Sequence, residues 1–291
     1  MIHRKGISSF LLITFGITWL AEGILIWSGF RITGIPQMVG QFVVMGVMWV
    51  PALATLITTR WITHEPISTT GLRFGKSWKP YVLTAFVIPL CFLVTYLLTW
   101  VLGLGGAPDW QMKNLYDLAA SAGADMRTAP APQLLAPVLI ISSLLAAPWF
   151  NSLLGLGEEW GWRGYLLPRL MPLGKWKAYL LLGVVWGLWH APLILVGFNY
   201  PGYPVLGIFL MILMTTALSI FLNELTLHYD SAILAGWIHG VFNAQAYGIW
   251  RLLFPEMNSI FGGHTGVIGS IVLLALGLVT VGWFDRKTGR D

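Results

Sequence analysis

Long apolar stretches fill most of the chain, and short polar connections separate them. Windows of about twenty mainly apolar residues fall at 7–26, 38–57, 81–104, 134–156, 178–196, 205–225, 231–250 and 265–284. A helix needs a window of about this length to cross the hydrocarbon core of a membrane. The pattern therefore predicts an all-α, polytopic membrane protein with about eight transmembrane helices.

Composition supports this class and narrows it. Of the 291 residues, 56% are hydrophobic and only 10% are charged, which a soluble domain of this size would not carry. No internal repeat or linker divides the chain, so we expect a single integral-membrane domain over residues 1–291. The one cysteine, Cys91, excludes an intramolecular disulfide. The net charge of +5 is scattered between the apolar windows, so no nucleic-acid partner is predicted.

Lysine and arginine are distributed unevenly between alternate connections. Thirteen of the 17 fall on the side that carries both termini, namely Arg4, Lys5, Arg60, Arg73, Lys76, Lys79, Arg163, Arg169, Lys175, Lys177, Arg286, Lys287 and Arg290. The other side has Arg31, Lys113, Arg127 and Arg251. Because cytoplasmic loops carry an excess of these residues, the pattern predicts cytoplasmic termini, in what we expect to be the cell membrane.

The segment 157–164 places two adjacent carboxylates and an arginine between apolar stretches. On a helix, Glu159 and Arg163 stand at i, i+4 and can pair, whereas Glu158 points about 100° away. Ionisable residues at membrane depth are costly and usually functional. A solvated helix end is the structural alternative for these residues taken alone.

Three further polar residues fall at a similar depth in later windows. His190 lies in the fifth window, and His239 and Asn243 share one face of the seventh at i, i+4. With Glu158 they converge roughly 12 to 18 Å below the cytoplasmic face, given a helical rise of about 1.5 Å per residue. These four side chains are the predicted site. Four other polar residues are assigned no catalytic role: Glu22, Glu224, His228 and Asp230.

The motifs resemble those of a known family. Glu158-Glu159-x-x-x-Arg163, Trp186-x-x-x-His190 and His239-x-x-x-Asn243 follow one another within 158–243. In this order and spacing they resemble the CPBP family, which groups type II CAAX prenyl proteases with bacteriocin-processing and self-immunity membrane proteins. The resemblance implies an eight-span helical fold with a cytosol-facing cavity. Trp186 stands where the family usually has Phe, and it is interpreted as a packing residue.

The resemblance also implies a reaction, the hydrolysis of a peptide bond near the cytoplasmic membrane face. Glu158 with His190 would activate water, while His239 and Asn243 would stabilise the oxyanion. Glu159, Arg163 and Trp186 would support these groups. The expected partners are a peptide or lipidated-peptide substrate and the lipid bilayer.

Two alternatives stay open at this point. No cofactor is expected, but Glu158, His190 and His239 are ligand types that zinc accepts, so a zinc-dependent protease is one alternative. The other is a non-catalytic bacteriocin-immunity or ion-binding membrane protein that uses the same buried groups.

Overall fold

Helices form all the regular secondary structure in this computed structural model, which describes residues 3–30, 38–121 and 123–288. The α-helices are α1 (Arg4–Trp27), α2 (Met38–Val47), α3 (Val50–Ile57), α4 (Lys79–Val101), α5 (Lys113–Ser121), α6 (Pro132–Leu145), α7 (Ala147–Glu159), α8 (Leu167–Leu170), α9 (Lys175–Trp189), α10 (Ala191–Leu195), α11 (Pro204–Tyr229), α12 (Ala232–Ala246), α13 (Ile249–Leu253) and α14 (Val267–Thr288). The predicted all-α class is confirmed.

Five helices within the described residues are long and apolar enough to cross a membrane. They are Arg4–Trp27, Gly40–Ile62, Lys79–Val101, Pro204–Tyr229 and Val267–Lys287. The pair Pro132–Leu145 and Ala147–Leu173 bends by 43° and makes a sixth if it is one span.

The predicted count of eight is not confirmed. A helix lies in each remaining window, but α9 and α12 have only 15 residues each, which is shorter than a perpendicular span needs. Of the basic residues used to predict the orientation, Arg31 and Arg290 lie outside the described part of the chain.

The helix of the fourth window continues past Glu158 and Glu159. After α7 ends at Glu159, a π-helical segment runs over Trp160–Leu166 and leads into α8. Such wide turns are rare and often occur at functional sites. The small size of Gly161 permits one close contact here, because a Cβ atom on it would lie 2.4 Å from Pro51 Cβ. This packing holds the segment against α3.

Helix α12 packs closely along α7 through small residues. Gly236 and Gly240 have the G-x-x-x-G spacing that lets helix backbones approach in a membrane. A Cβ atom on Gly236 would lie 2.9 Å from Leu156 Cα, and one on Gly240 would lie 2.3 Å from Ser152 N. The absent side chains therefore set the distance between the two helices that carry Glu158 and His239.

We predict that Gly240→Ala destabilises the protein by about 1–3 kcal/mol, because the new methyl group would collide with the α7 backbone. Gly282→Ala is the control, since no heavy atom lies within 4 Å of a Cβ built there. Thermal unfolding of the full chain in detergent measures both. Equal unfolding temperatures for the two variants would contradict the close packing of α7 on α12.

Candidate active site

One cavity brings the four predicted site residues together. Its volume is about 420 Å³, and Glu158, His190, His239 and Asn243 all line it. Apolar side chains from α2, α7 and the segment after α9 form much of the remaining wall. The predicted convergence of these residues is therefore observed, although their catalytic roles remain a prediction.

Glu158 lies near the end of α7 and is only 2% exposed. Its Oε2 atom accepts a hydrogen bond of 2.7 Å from the indole Nε1 of Trp186. The packing role predicted for Trp186 is thus incomplete, because its N–H group makes a contact that Phe could not make. Within the described residues, the other carboxylate oxygen of Glu158 makes no hydrogen bond. Glu158 is held on one side and open to a ligand on the other.

The adjacent Glu159 forms the predicted pair with Arg163. Arg163 Nη1 donates to both oxygens of Glu159, at 2.9 and 2.7 Å, and neither side chain is exposed. The guanidinium also donates to Asn223 Oδ1 at 3.2 Å and to Ser219 Oγ at 2.8 Å, which attaches the pair to α11. A buried ion pair needs such additional hydrogen bonds to offset its desolvation.

The hydrogen bonds of the two histidines determine which nitrogen carries a proton. His190 Nδ1 lies 2.9 Å from the carbonyl oxygen of Trp186, and His239 Nδ1 lies 2.8 Å from Glu159 Oε1. Both oxygens act as acceptors here, since the first is a backbone carbonyl and the second also accepts from Arg163 Nη1. Each Nδ1 is therefore a donor. In a neutral ring, Nε2 is then the basic nitrogen.

Asn243 follows His239 by one helical turn on α12. Its side chain lines the cavity and makes no hydrogen bond to another described residue. Its amide can therefore donate to a bound ligand.

The cavity lies on the side of the site away from the basic connections. Of its exposed wall residues, Gln41 and Tyr247 lie near the helix ends opposite Arg4 and Lys287. Toward the basic side, the residues that follow Glu158 along the chain include four side chains with no exposed surface: Trp162, Tyr165, Leu166 and Leu167.

Two expectations therefore exclude each other in this fold. The resemblance implied a cavity open to the cytosol, whereas the charge pattern predicted cytoplasmic termini. Arg4 and Lys287 lie at the ends of the helices opposite those near the exposed wall residues Gln41 and Tyr247, so only one of these two sides can face the cytosol.

Glu22 on α1 is a cavity residue to which sequence reasoning gave no role. It is 2% exposed, and its Oε2 atom has no hydrogen-bond partner. A sequence signal was present, because Thr14, Thr18 and Glu22 repeat every four residues and so share one helical face. All three are buried.

The donor set considered for zinc is not assembled. Among the residues that the structure describes, no three His, Cys, Asp or Glu side chains are grouped closely enough to hold one metal ion. Glu158, His190 and His239 share a cavity without forming such a group. The zinc-dependent alternative therefore stays a hypothesis, which removal of metal by a chelator tests.

Comparisons with known proteins agree with the motifs. Residues 133–245 match the family model described as type II CAAX prenyl endopeptidase Rce1-like. CAAX prenyl protease 2 of Methanococcus maripaludis is 48% identical over 44 residues, which are 15% of this chain and 16% of that protein. The chain thus aligns with about a sixth of this curated relative. The resemblance stated from the motifs is confirmed, and the match supports the predicted protease class.

We predict that Glu159→Gln lowers the free energy of unfolding by about 3–5 kcal/mol, because it leaves the Arg163 guanidinium buried without a counter-ion. Glu158→Gln is the matched control, since its amide oxygen can still accept from Trp186. We expect a change of less than about 1 kcal/mol there. Thermal unfolding of the full chain measures both, and an equal loss would contradict the different roles of the two carboxylates.

The charge pattern predicts that the cavity mouth faces away from the cytoplasm. In a Cys91→Ser background, Gln111→Cys should react with an impermeant maleimide in intact cells, because Gln111 is exposed on the side of the mouth. Lys5→Cys should react only after the cells are permeabilised. The reverse labelling pattern would refute the orientation and place the mouth at the cytosol.

Proposed function

Since residues 133–245 match the model of the Rce1-like type II CAAX prenyl endopeptidases, we propose that this protein is an intramembrane endopeptidase whose reaction takes place in the cavity. The observation that carries the proposal is Glu158, a buried carboxylate fixed by Trp186 with its second oxygen open to the cavity. A carboxylate in that state is suited to act as a general base.

In the first step, Glu158 takes a proton from a water molecule, whose oxygen attacks the carbonyl carbon of the substrate. The unprotonated Nε2 of His190 lines the same cavity and accepts a hydrogen bond from this water. The attack forms a C–O bond and moves the carbonyl π electrons onto oxygen. The resulting tetrahedral oxyanion requires hydrogen-bond donors.

His239 and Asn243 supply these donors from consecutive turns of α12. The Asn243 amide donates directly. His239 gives its Nδ1–H to Glu159, so it donates through Nε2 only as an imidazolium. Glu159 accepts from this ring and also pairs with Arg163, which fixes the orientation of His239. Collapse of the intermediate breaks the C–N bond, and the proton held by Glu158 passes to the leaving amine.

The substrate class follows from the same location. We propose a membrane-embedded peptide, lipidated or not, which reaches the cavity from the bilayer. The excess of Lys and Arg beside the termini supports a cell-membrane protein with cytoplasmic termini. The cavity then opens toward the opposite leaflet.

We predict that Glu158→Gln abolishes turnover, with a loss of at least about 100-fold, because the amide cannot accept a proton. Trp186→Phe should lower kcat while changing KM little, since it removes only the N–H group that orients Glu158. The assay is cleavage of a farnesylated C-a-a-X peptide and of a panel of membrane peptides by the purified full chain.

Three outcomes would count against this proposal. Full activity in Glu158→Gln would move the base elsewhere. Activity that is lost on dialysis against a chelator and restored by zinc would favour the zinc-dependent alternative. If wild type cleaves no peptide while binding one tightly, a non-catalytic immunity role is favoured instead.

A further inference from the structure

Glu22 is placed in the cavity by a repeating face of α1. Residues Gly6, Phe10, Thr14, Thr18 and Glu22 follow one another every four positions, and all are buried. The last of them reaches the cavity that Glu158 also lines. The carboxylate therefore enters the site from a helix that carries none of the family-like motifs.

This carboxylate lacks the partner that a buried acid normally has. Glu22 is 2% exposed, and its Oε2 atom makes no hydrogen bond. Burying such a group without compensation costs several kcal/mol on typical scales. Native proteins keep few such groups, and each requires an explanation. A ligand that pairs with Glu22 when it binds is one such explanation.

The charge of the cavity wall determines what that ligand can be. Two carboxylates, Glu22 and Glu158, line the cavity, and no Lys or Arg of the described residues does. Arg163 lies nearby, but Glu159, Ser219 and Asn223 occupy its donors. His239, the proposed oxyanion donor, also lines the wall, but its Nδ1 already pairs with Glu159. Glu22 has no such partner and can attract a cation.

The remaining wall suits the stem of a long basic side chain. Apolar residues of the cavity wall include Val44, Met45, Met48, Leu154 and Leu193. Methionines adapt their shape to a flexible aliphatic chain. Lysine and arginine bury such stems along apolar surfaces and keep the charged group at a polar partner.

On the basis of the proposed peptidase function, we propose that Glu22 is a specificity-determining residue, which pairs with a Lys or Arg side chain of the peptide bound in the cavity. Pairing replaces the missing hydrogen-bond partner of Oε2. It also discriminates between substrates by their charge, because Glu22 would repel a peptide that places its free C-terminal carboxylate beside it. The preferred substrate is then a membrane peptide with a basic residue close to the scissile bond.

The test uses the purified full chain and sets of membrane peptides. Within each set the peptides differ only at one position, which carries Lys, Gln or Glu, and successive sets move this position along the residues around the cleaved bond. The value of kcat/KM is measured for each peptide. At one position, wild type should prefer Lys to Gln by at least about tenfold, as expected for a desolvated ion pair. Glu22→Gln should reduce this ratio to near one while it retains activity on the Gln peptide.

Glu256→Gln is the matched control, because Glu256 is an exposed carboxylate that does not line the cavity. It should keep the wild-type ratio. If Glu22→Gln folds poorly, Glu22→Asp replaces it, and the ratio should fall because the shorter acid reaches the cation less well. A wild-type ratio near one at every position, or an unchanged ratio in the folded Glu22 variant, overturns the proposal.

Failure of the proposed function gives a different result. If wild type cleaves none of the peptides, hydrolysis is refuted, and binding of the same peptides decides the role of Glu22. Tighter binding of Lys peptides that is lost in Glu22→Gln supports the pairing. Binding that does not depend on the charge of the peptide overturns it.

Discussion

The ion pair between Glu159 and Arg163 is the interaction on which the geometry of the site depends. It is fully buried, so both charges must find partners inside the protein. Arg163 obtains them from α11, and Glu159 obtains its second partner from His239 on α12. One charge pair on the fourth window thus fixes two further helices around it. Because neither charge has access to water, these contacts are stronger than surface ion pairs of the same length.

The same pair separates the functions of two neighbouring carboxylates. Successive residues on a helix point about 100° apart, so fixing Glu159 toward α11 and α12 turns Glu158 toward the cavity. Trp186 then holds one oxygen of Glu158. The arrangement works only if α12 lies close to α7, and the missing side chains of Gly236 and Gly240 permit this. Backbone packing and electrostatics therefore act together to position the Glu158 carboxylate at the cavity.

Local spacing predicted much of this arrangement, and tertiary contacts decided the rest. The i, i+4 positions were enough to pair Glu159 with Arg163 and to place His239 beside Asn243, because helical geometry alone fixes such neighbours. The number of spans depends on where each helix ends, which the apolar windows do not show. For example, α9 ends before His190 and is too short to count as a span. The indole N–H of Trp186 has a partner 28 positions away, and Glu22 reaches the cavity from another helix. The Trp186 contact leaves no pattern in the local sequence, whereas the repeat of Thr14, Thr18 and Glu22 marks a buried face of α1 but not the cavity that it reaches.

The position of the cavity constrains the side from which a ligand can reach Glu158. Between Glu158 and the basic ends of the helices, side chains such as Trp162 and Tyr165 have no exposed surface. Tyr247, an exposed residue of the cavity wall, lies near the opposite ends of the helices. The excess of Lys and Arg predicts that the basic ends face the cytoplasm. A peptide bond cut in this cavity would then lie in the outer half of the bilayer, on the side from which Glu22 also approaches Glu158.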